Sequence, residues 1–489
     1  MQSIDLEKTA PRFIKLRQHP VAVMNNKSSP MTPKKTVLRI GAGAGFAGDR
    51  IAPARELAQQ GELDYLVFEC LAERTIALAQ LERSRHPMLG FDPLLAQRMR
   101  AVLEPCLSQG VRIISNMGAA NPLQAGHEVL RIAAELGLPQ VQVAVLLGDD
   151  VLEVLRNRGQ GLAVLESSAA LADLLPRALS ANVYLGAEAL LPALRTKAQV
   201  IITGRVADPA LFLAPLIHHF GWRLDDWQRL GRGVLVGHLL ECAGQITGGY
   251  FADPGFKEVP RLARLGFPLA EVQASGDAVI TKVAGSGGCV SVATCTEQLL
   301  YEIDDPSLYL QPDVVADFSA VRFEPDGPDR VRVSGGDGQA RPQTLKVSVG
   351  YRDGFIGEGQ ISYAGPGAQD RGQLALELVR ERLGDAGLGD FDSRFELIGL
   401  NALSGPVQQA LHPRPPEPTE VRARVALRVA TEQQAQAVAH EVEALYLNGP
   451  AGGGGATRAV KEVIAVASVL IPREWVSTRI ELLGPGPGP

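Results

Sequence analysis

The chain has 489 residues, enough for two or three domains with ample core. Its net charge of −6 excludes the basic footprint of a nucleic-acid binder, and no apolar run is long enough to span a bilayer. Hydrophobic residues at 46% and charged residues at 21% are ordinary for a soluble globular protein. The five cysteines (Cys70, Cys106, Cys242, Cys289, Cys295) are scattered and odd in number, with no CxxC pair. That argues against a disulfide frame or a zinc finger and places the chain in the reducing cytosol. The 52 glycines fall largely in short clusters, the pattern of ligand-cradling loops.

Residues 1–33 are mixed polar and basic and carry no apolar signal-peptide core, so they read as a flexible extension. Met31 precedes the first strand, and the expectation is that residues 1–30 are dispensable. The fold opens at Thr36–Ile40, a strand, followed by the loop GAGAGFAGDR ending at Arg50. Gly43, Gly45 and Gly48 have the dinucleotide spacing, and a helix and a strand Tyr65–Phe68 ending at Glu69 follow. Such a loop suits NAD, another anionic ligand, or a purely structural turn, and Asp49 is an unwelcome charge beside an anion. Glu69 and Glu73 lie four apart at a helix start, where mutual repulsion would raise one pKa and supply a general acid. An ordinary acidic helix start beside Arg74 explains them equally well.

A helix near Leu94–Leu107 leads to the strand Val111–Ile114 and the loop SNMGAANP. There Asn116 and Asn121 suit a carbonyl or carboxylate, or simply a turn. The strand Val141–Leu147 ends in Gly148-Asp149-Asp150. The run Val200-Ile201-Ile202 then breaks at Thr203-Gly204, with Arg205 and Asp208 just before a helix started by Pro209. That puts a cation and a carboxylate at a strand's carboxyl end, where ligands bind in open α/β sheets; the alternative reading is that Asp208 only caps the helix and Arg205 only pairs with it. In GHLLECAGQITGGY, His238 and Glu241 share a helix face, as half a metal site or an acid–base pair. No HExxH or Cys/His cluster completes a metal site, so none is expected. Asp253 sits at the tip of a lid-like loop, and Cys289 follows a glycine loop as either a nucleophile or a buried inert thiol.

From about residue 306 shorter alternating strands take over, including 345–349 and 355–361 as separate strands, with helices at 373–383 and 432–445. A proline-rich stretch spans Pro413–Pro418. The loop NGPAGGGGATR contains Gly453 and Gly454, which read as a segment ordering on a ligand or as a disordered surface loop. The fold class is α/β, a mostly parallel sheet flanked by helices (34–305), with a C-terminal α+β mixed-sheet domain (306–483) and a flexible tail (484–489).

GAGAGFAGDR, DYLVFECLAERT, SNMGAANP, TGRVADPALF, GHLLECAGQITGGYFADPG, YEIDDPSLYLQPDVVADF, VGYRDGFIGEGQISYAGPGA and NGPAGGGG occur in this order. Together they resemble the acyclic terpene utilisation (AtuA-type) family over about residues 36–470. The resemblance implies a cytoplasmic protein with a place in the breakdown of acyclic terpenoids such as citronellol and geraniol, or of related branched acids. It also implies a small ferredoxin-like domain, fused or separate, which here would be a partner subunit. The expected activity is lyase or hydratase chemistry on a branched anionic acyl substrate, free acid or CoA thioester. Arg205, Arg50, Asn121, Asp253 and the glycines Gly43, Gly45, Gly48, Gly453 and Gly454 would bind that substrate. Glu69, Asp208, Glu241 and His238 would serve as acid and base, with Asn116 polarising the carbonyl. The alternatives are an NAD-dependent oxidoreductase using the first glycine loop and a non-catalytic acyl-binding or assembly protein. A homo-oligomer is expected.

Overall fold

A computed structural model of the protein describes residues 35–403 and 418–485. The expected extension, residues 413–417 of the proline-rich stretch and residues 486–489 of the tail lie outside the described residues. The apolar runs of the first half form β1 (Val37–Ala44), β2 (Tyr65–Phe68), β3 (Arg112–Ser115), β4 (Val143–Leu147), β5 (Ala178–Val183) and β6 (Val200–Ile202). All but β5 pair in parallel, in the order β1-β2-β3-β6-β4. β2 and β6 are buried along their whole length, which is why their sequences are unbroken apolar runs rather than alternating ones. The connections carry α1 (Ala52–Gln60), α2 (Glu73–Arg85), α3 (Leu95–Ser108) and α4 (Pro122–Glu135).

The chain continues through β7 (Pro268–Gln273), β8 (Ala278–Lys282), β9 (Tyr309–Leu310), β10 (Val315–Asp317), β11 (Arg322–Pro325), β12 (Val331–Ser334) and β13 (Asp337–Gln339). Then come β14 (Thr344–Ala364), β15 (Ser393–Ile398), β16 (Glu420–Val429), β17 (Gly454–Pro472) and β18 (Arg479–Leu483). The main sheet has ten strands and is mixed. Antiparallel β7, β8, β12 and β11 extend it beyond β1, and antiparallel β18 lies beyond β4. A connection as short as residues 274–277 between β7 and β8 allows only antiparallel pairing, so the sheet is not the mostly parallel one expected.

Residues 345–349 and 355–361 are one strand, not two. β14 passes Gly354 at a φ of 81° and shifts its register against β17 between Arg352 and Phe355. Its first half pairs with β5, and Val347 and Val349 join the main core. Its second half pairs with β16, and Ile361 and Tyr363 join a separate core with side chains of two helices, Ala368–Asp385 and Glu432–Glu443. The four-glycine loop is ordered by the protein itself. Arg371 Nη1 donates to Ala451 O at 3.0 Å, Arg422 Nη1 donates to Gly455 O at 3.1 Å, and Gly454 pairs with Ser362. Among the described residues no helix is long and apolar enough to cross a membrane.

Candidate active site

The parallel strands end on one rim, and their carboxyl-terminal turns meet there. β1 runs into Gly45, β2 into Glu69-Cys70-Leu71, β3 into Asn116-Met117, β4 into Gly148-Asp149 and β6 into Gly204-Arg205. Asn116 is fully buried and ties two turns together. Its Oδ1 accepts from Cys70 N at 2.7 Å, and its Nδ2 donates to Glu69 Oε1 at 2.8 Å. Arg205, also buried, donates to Leu71 O and to Asp208 Oδ1, and through Nε to Val206 O at 3.0 Å. Its backbone N–H donates to Asp149 Oδ2 at 2.8 Å, and its guanidinium lies over the Tyr184 ring at 4.3 Å.

The first glycine loop is fastened to the same rim by Arg98, a buried cation of α3. Arg98 donates to Ala47 O at 2.9 Å, to Asp92 Oδ2 at 3.1 Å and to Cys70 Sγ at 3.2 Å. Asp49 is the anion this loop holds: its Oδ2 accepts from Gly45 N at 2.9 Å and its Oδ1 from Arg50 N at 2.8 Å. A Cβ on Gly45 would stand 2.4 Å from the backbone carbonyl carbon of Cys242, one on Gly43 2.7 Å from the Phe68 ring, and one on Gly48 2.6 Å from the Phe46 ring. The three glycines thus have protein packing partners, and two of the loop's amides have an internal carboxylate.

Glu69 and Asp208 are close enough to repel. Burial, and then the Asp208 charge, hold Glu69 well above the usual carboxylate range; Arg205 and the bonds from Leu71 N and Asn116 oppose this. Burial also raises Asp208, against its pairing with Arg205, although 37% of its side chain stays exposed. Both carboxyls are therefore raised, Glu69 well above the usual range, and Asp208 is the one paired directly with Arg205. Glu73 goes the other way. Burial alone would raise it, but the Tyr184 hydroxyl donating at 2.5 Å, Lys346 at 3.3 Å and Arg205 outweigh burial and hold it at about 2. The charge that lifts Glu69 is that of Asp208, and the ionised Glu73 raises Asp208 in its turn.

His238 and Glu241 sit on the last turn of the helix Trp227–Glu241, with Nδ1 2.8 Å from Glu241 Oε1 and Nε2 3.1 Å from Leu299 O. A carbonyl only accepts, so Nε2 carries a proton and the pair shares one more between Nδ1 and the carboxyl. Burial, with Asp208 and Glu302 behind it, pushes Glu241 up to about 7 against the His238 bond. Glu241 Oε2 is buried without a hydrogen-bond partner. Among the described residues no three His, Cys, Asp or Glu side chains are arranged to hold a metal.

A cavity of about 590 Å³ opens beside Asn116 and Cys70, lined by Leu71, Leu78, Phe91 and Met117, with Arg85 and His86 among its polar residues. That is the size and lining of a small-molecule pocket.

The structure does not bring every candidate to this rim. Asn121 spends its amide on Pro87 O at 2.9 Å and Leu89 O at 2.8 Å, bracing a neighbouring loop. Asp253 is exposed in a turn closed onto Lys257 O, and Arg50 is exposed. Gly453 and Gly454 lie at the far end of β14: Ser362 is sixteen residues from Lys346, about 50 Å along the strand. Burial and the Asp329 charge raise the Cys289 thiol, which removes the basis for a nucleophile.

The sequence profile of the acyclic terpene utilisation family protein AtuA matches residues 38–482. The chain belongs to this family. No curated protein and no solved structure matches it. AtuA membership suggests a role for the chain in acyclic terpene utilisation. In this AtuA chain, sequence reasoning missed Arg98, Tyr184 and Lys346. Tyr184 and Lys346 meet because β5 pairs with β14, Tyr184 N donating to Lys346 O at 2.9 Å. Arg98 sits in RMRAVL, which reads as a solvated helix face, and no local signal marks it.

Proposed function

We propose that the rim is the active site of an enzyme of acyclic terpenoid or branched-acid catabolism, with lyase or hydratase chemistry at carbon next to a carbonyl. The observation that carries this reading is the pair of Glu69, buried, and Asp208, partly open, around Arg205, with Asn116 and Leu71, which hydrogen-bond Glu69 and Arg205, lining an apolar cavity. The branched chain lies in the cavity among Leu71, Leu78, Phe91 and Met117. Asp208, paired and partly open, takes the proton from the carbon next to the carbonyl, and Glu69 as general acid gives its own proton to the hydroxyl that leaves the following carbon as water, so that a C–H and a C–O bond break as the C=C bond forms; hydration is the reverse. Arg205 steadies the negative charge that develops on the carbonyl oxygen. Asn116 holds Glu69 in place through its 2.8 Å bond. NAD chemistry is not favoured, because Asp49 already occupies amides that a pyrophosphate would need.

The test is turnover of branched unsaturated acids and their thioesters by wild type, Glu69→Gln and Asp208→Asn. Both variants are expected to lose at least a hundredfold in kcat while still binding ligand. Full turnover by both would remove the reading.

A further inference from the structure

A second cavity, of about 660 Å³, lies where β14 makes its bulge. Arg177, Arg352 and Arg428 line it, together with the rings of Phe355 and Phe391. Arg85 joins it to the apolar cavity: Arg85 lines the apolar one, and its Nη2 stands 2.8 Å from Glu462 Oε2, which lines the second.

Four guanidiniums here meet two carboxylates. Asp353 serves both Arg177, at 3.1 Å, and Arg428. Glu462 serves both Arg85 and Arg352, the latter at 3.0 Å. Each carboxylate can neutralise one cation, so the groove keeps about two positive charges. Each guanidinium has five donors in a planar fork that matches phosphate. The carboxylates hold the forks in place without cancelling them. Planar rings beside arginines are what a nucleobase stacks on.

We propose that this groove binds the phosphorylated head of the substrate whose apolar part fills the neighbouring cavity, so that the ligand is a nucleotide-bearing acyl thioester of the coenzyme A type rather than a free acid. The inference rests on the reading that the apolar cavity holds the acyl chain. α2 separates the two ends: Glu73 begins it beside the acid pair and Arg85 ends it at the groove, about 18 Å away along the axis. A ligand spanning them is long, thin and anionic at one end.

The test is calorimetric titration of the full chain with citronellic acid, its coenzyme A thioester, coenzyme A alone and geranyl diphosphate. The thioester is expected to bind at least tenfold tighter than the free acid, and to weaken as salt screens the groove. The double variant R352A/R428A is expected to lose at least tenfold affinity for the thioester and for coenzyme A. Its affinity for the free acid stays at the wild-type value, which also shows that it is folded. Phe391→Ala is expected to weaken the thioester but not geranyl diphosphate, which has no base to stack. Equal binding of acid and thioester overturns the proposal, as does an R352A/R428A protein that binds the thioester as well as wild type. Geranyl diphosphate binding more tightly than the thioester overturns the nucleotide assignment. These outcomes are separate from turnover by Asp208→Asn, so the groove and the acid–base pair can fail independently.

Discussion

Glu69 and Glu73 are four residues apart and have opposite fates, which shows that surroundings, not residue type, decide the role of each. With Glu69 as the proposed general acid, kcat/KM is expected to fall as pH rises through its raised pKa. Glu69→Gln should remove that limb, read from a pH–rate profile. Glu73 predicts a stability effect with the reverse sense. Its folded value of about 2 lies below the ordinary 4.5, so its contribution is present above about pH 4.5 and is lost as pH falls toward 2. With 40% of its side chain exposed, screening discounts that contribution to about 1–2 kcal/mol. Denaturant titration should show Glu73→Gln weaker than wild type by that amount at pH 7 and equal to it near pH 2.

At the scale of elements, the turns matter more than the helices. Gly45 touches the backbone where the helix Trp227–Glu241 ends, so Gly45→Ala must push the first loop and Glu241 apart. A cost of about 1–3 kcal/mol is expected from overpacking, together with a shifted pH profile, read by chemical denaturation and kinetics. The same contact shows what a sequence conceals. GxGxxG was visible, but whether its amides face a pyrophosphate or Asp49 depends on a side chain one residue past the motif. The limits of β2 and β6, and the presence of Glu69, Asn116, Arg205 and Asp208 at strand ends, were legible because buried parallel strands leave unbroken apolar runs that stop at polar turns. β14 reads as two strands because a glycine bulge looks like a turn, and Gly454, which reads as part of a loop, opens β17. Lys346 and Tyr184 could not be paired from sequence, since their contact comes from strands well over a hundred residues apart.

At the scale of the whole molecule, one buried guanidinium holds three turns in register. Arg98→Met would remove the donors to Ala47 O, Asp92 and Cys70 Sγ and leave Asp92 buried without its cation. The expected loss is about 3–5 kcal/mol, measured by denaturation, with activity failing as the first loop detaches. The turns of the main sheet supply the acids, and the second cavity takes Arg352 from the bulge of β14, Arg428 from β16 and Arg177 from the turn before β5, so the proposed substrate draws on segments far apart in the chain. The central claim is that Asp208 exchanges a proton with the carbon next to a carbonyl while Glu69 serves as the acid. Its most direct test is NMR of deuterium uptake at that carbon of a bound branched acyl thioester in heavy water. Wild type is expected to exchange it, and Asp208→Asn at least a hundredfold more slowly; equal uptake by both proteins would contradict the claim.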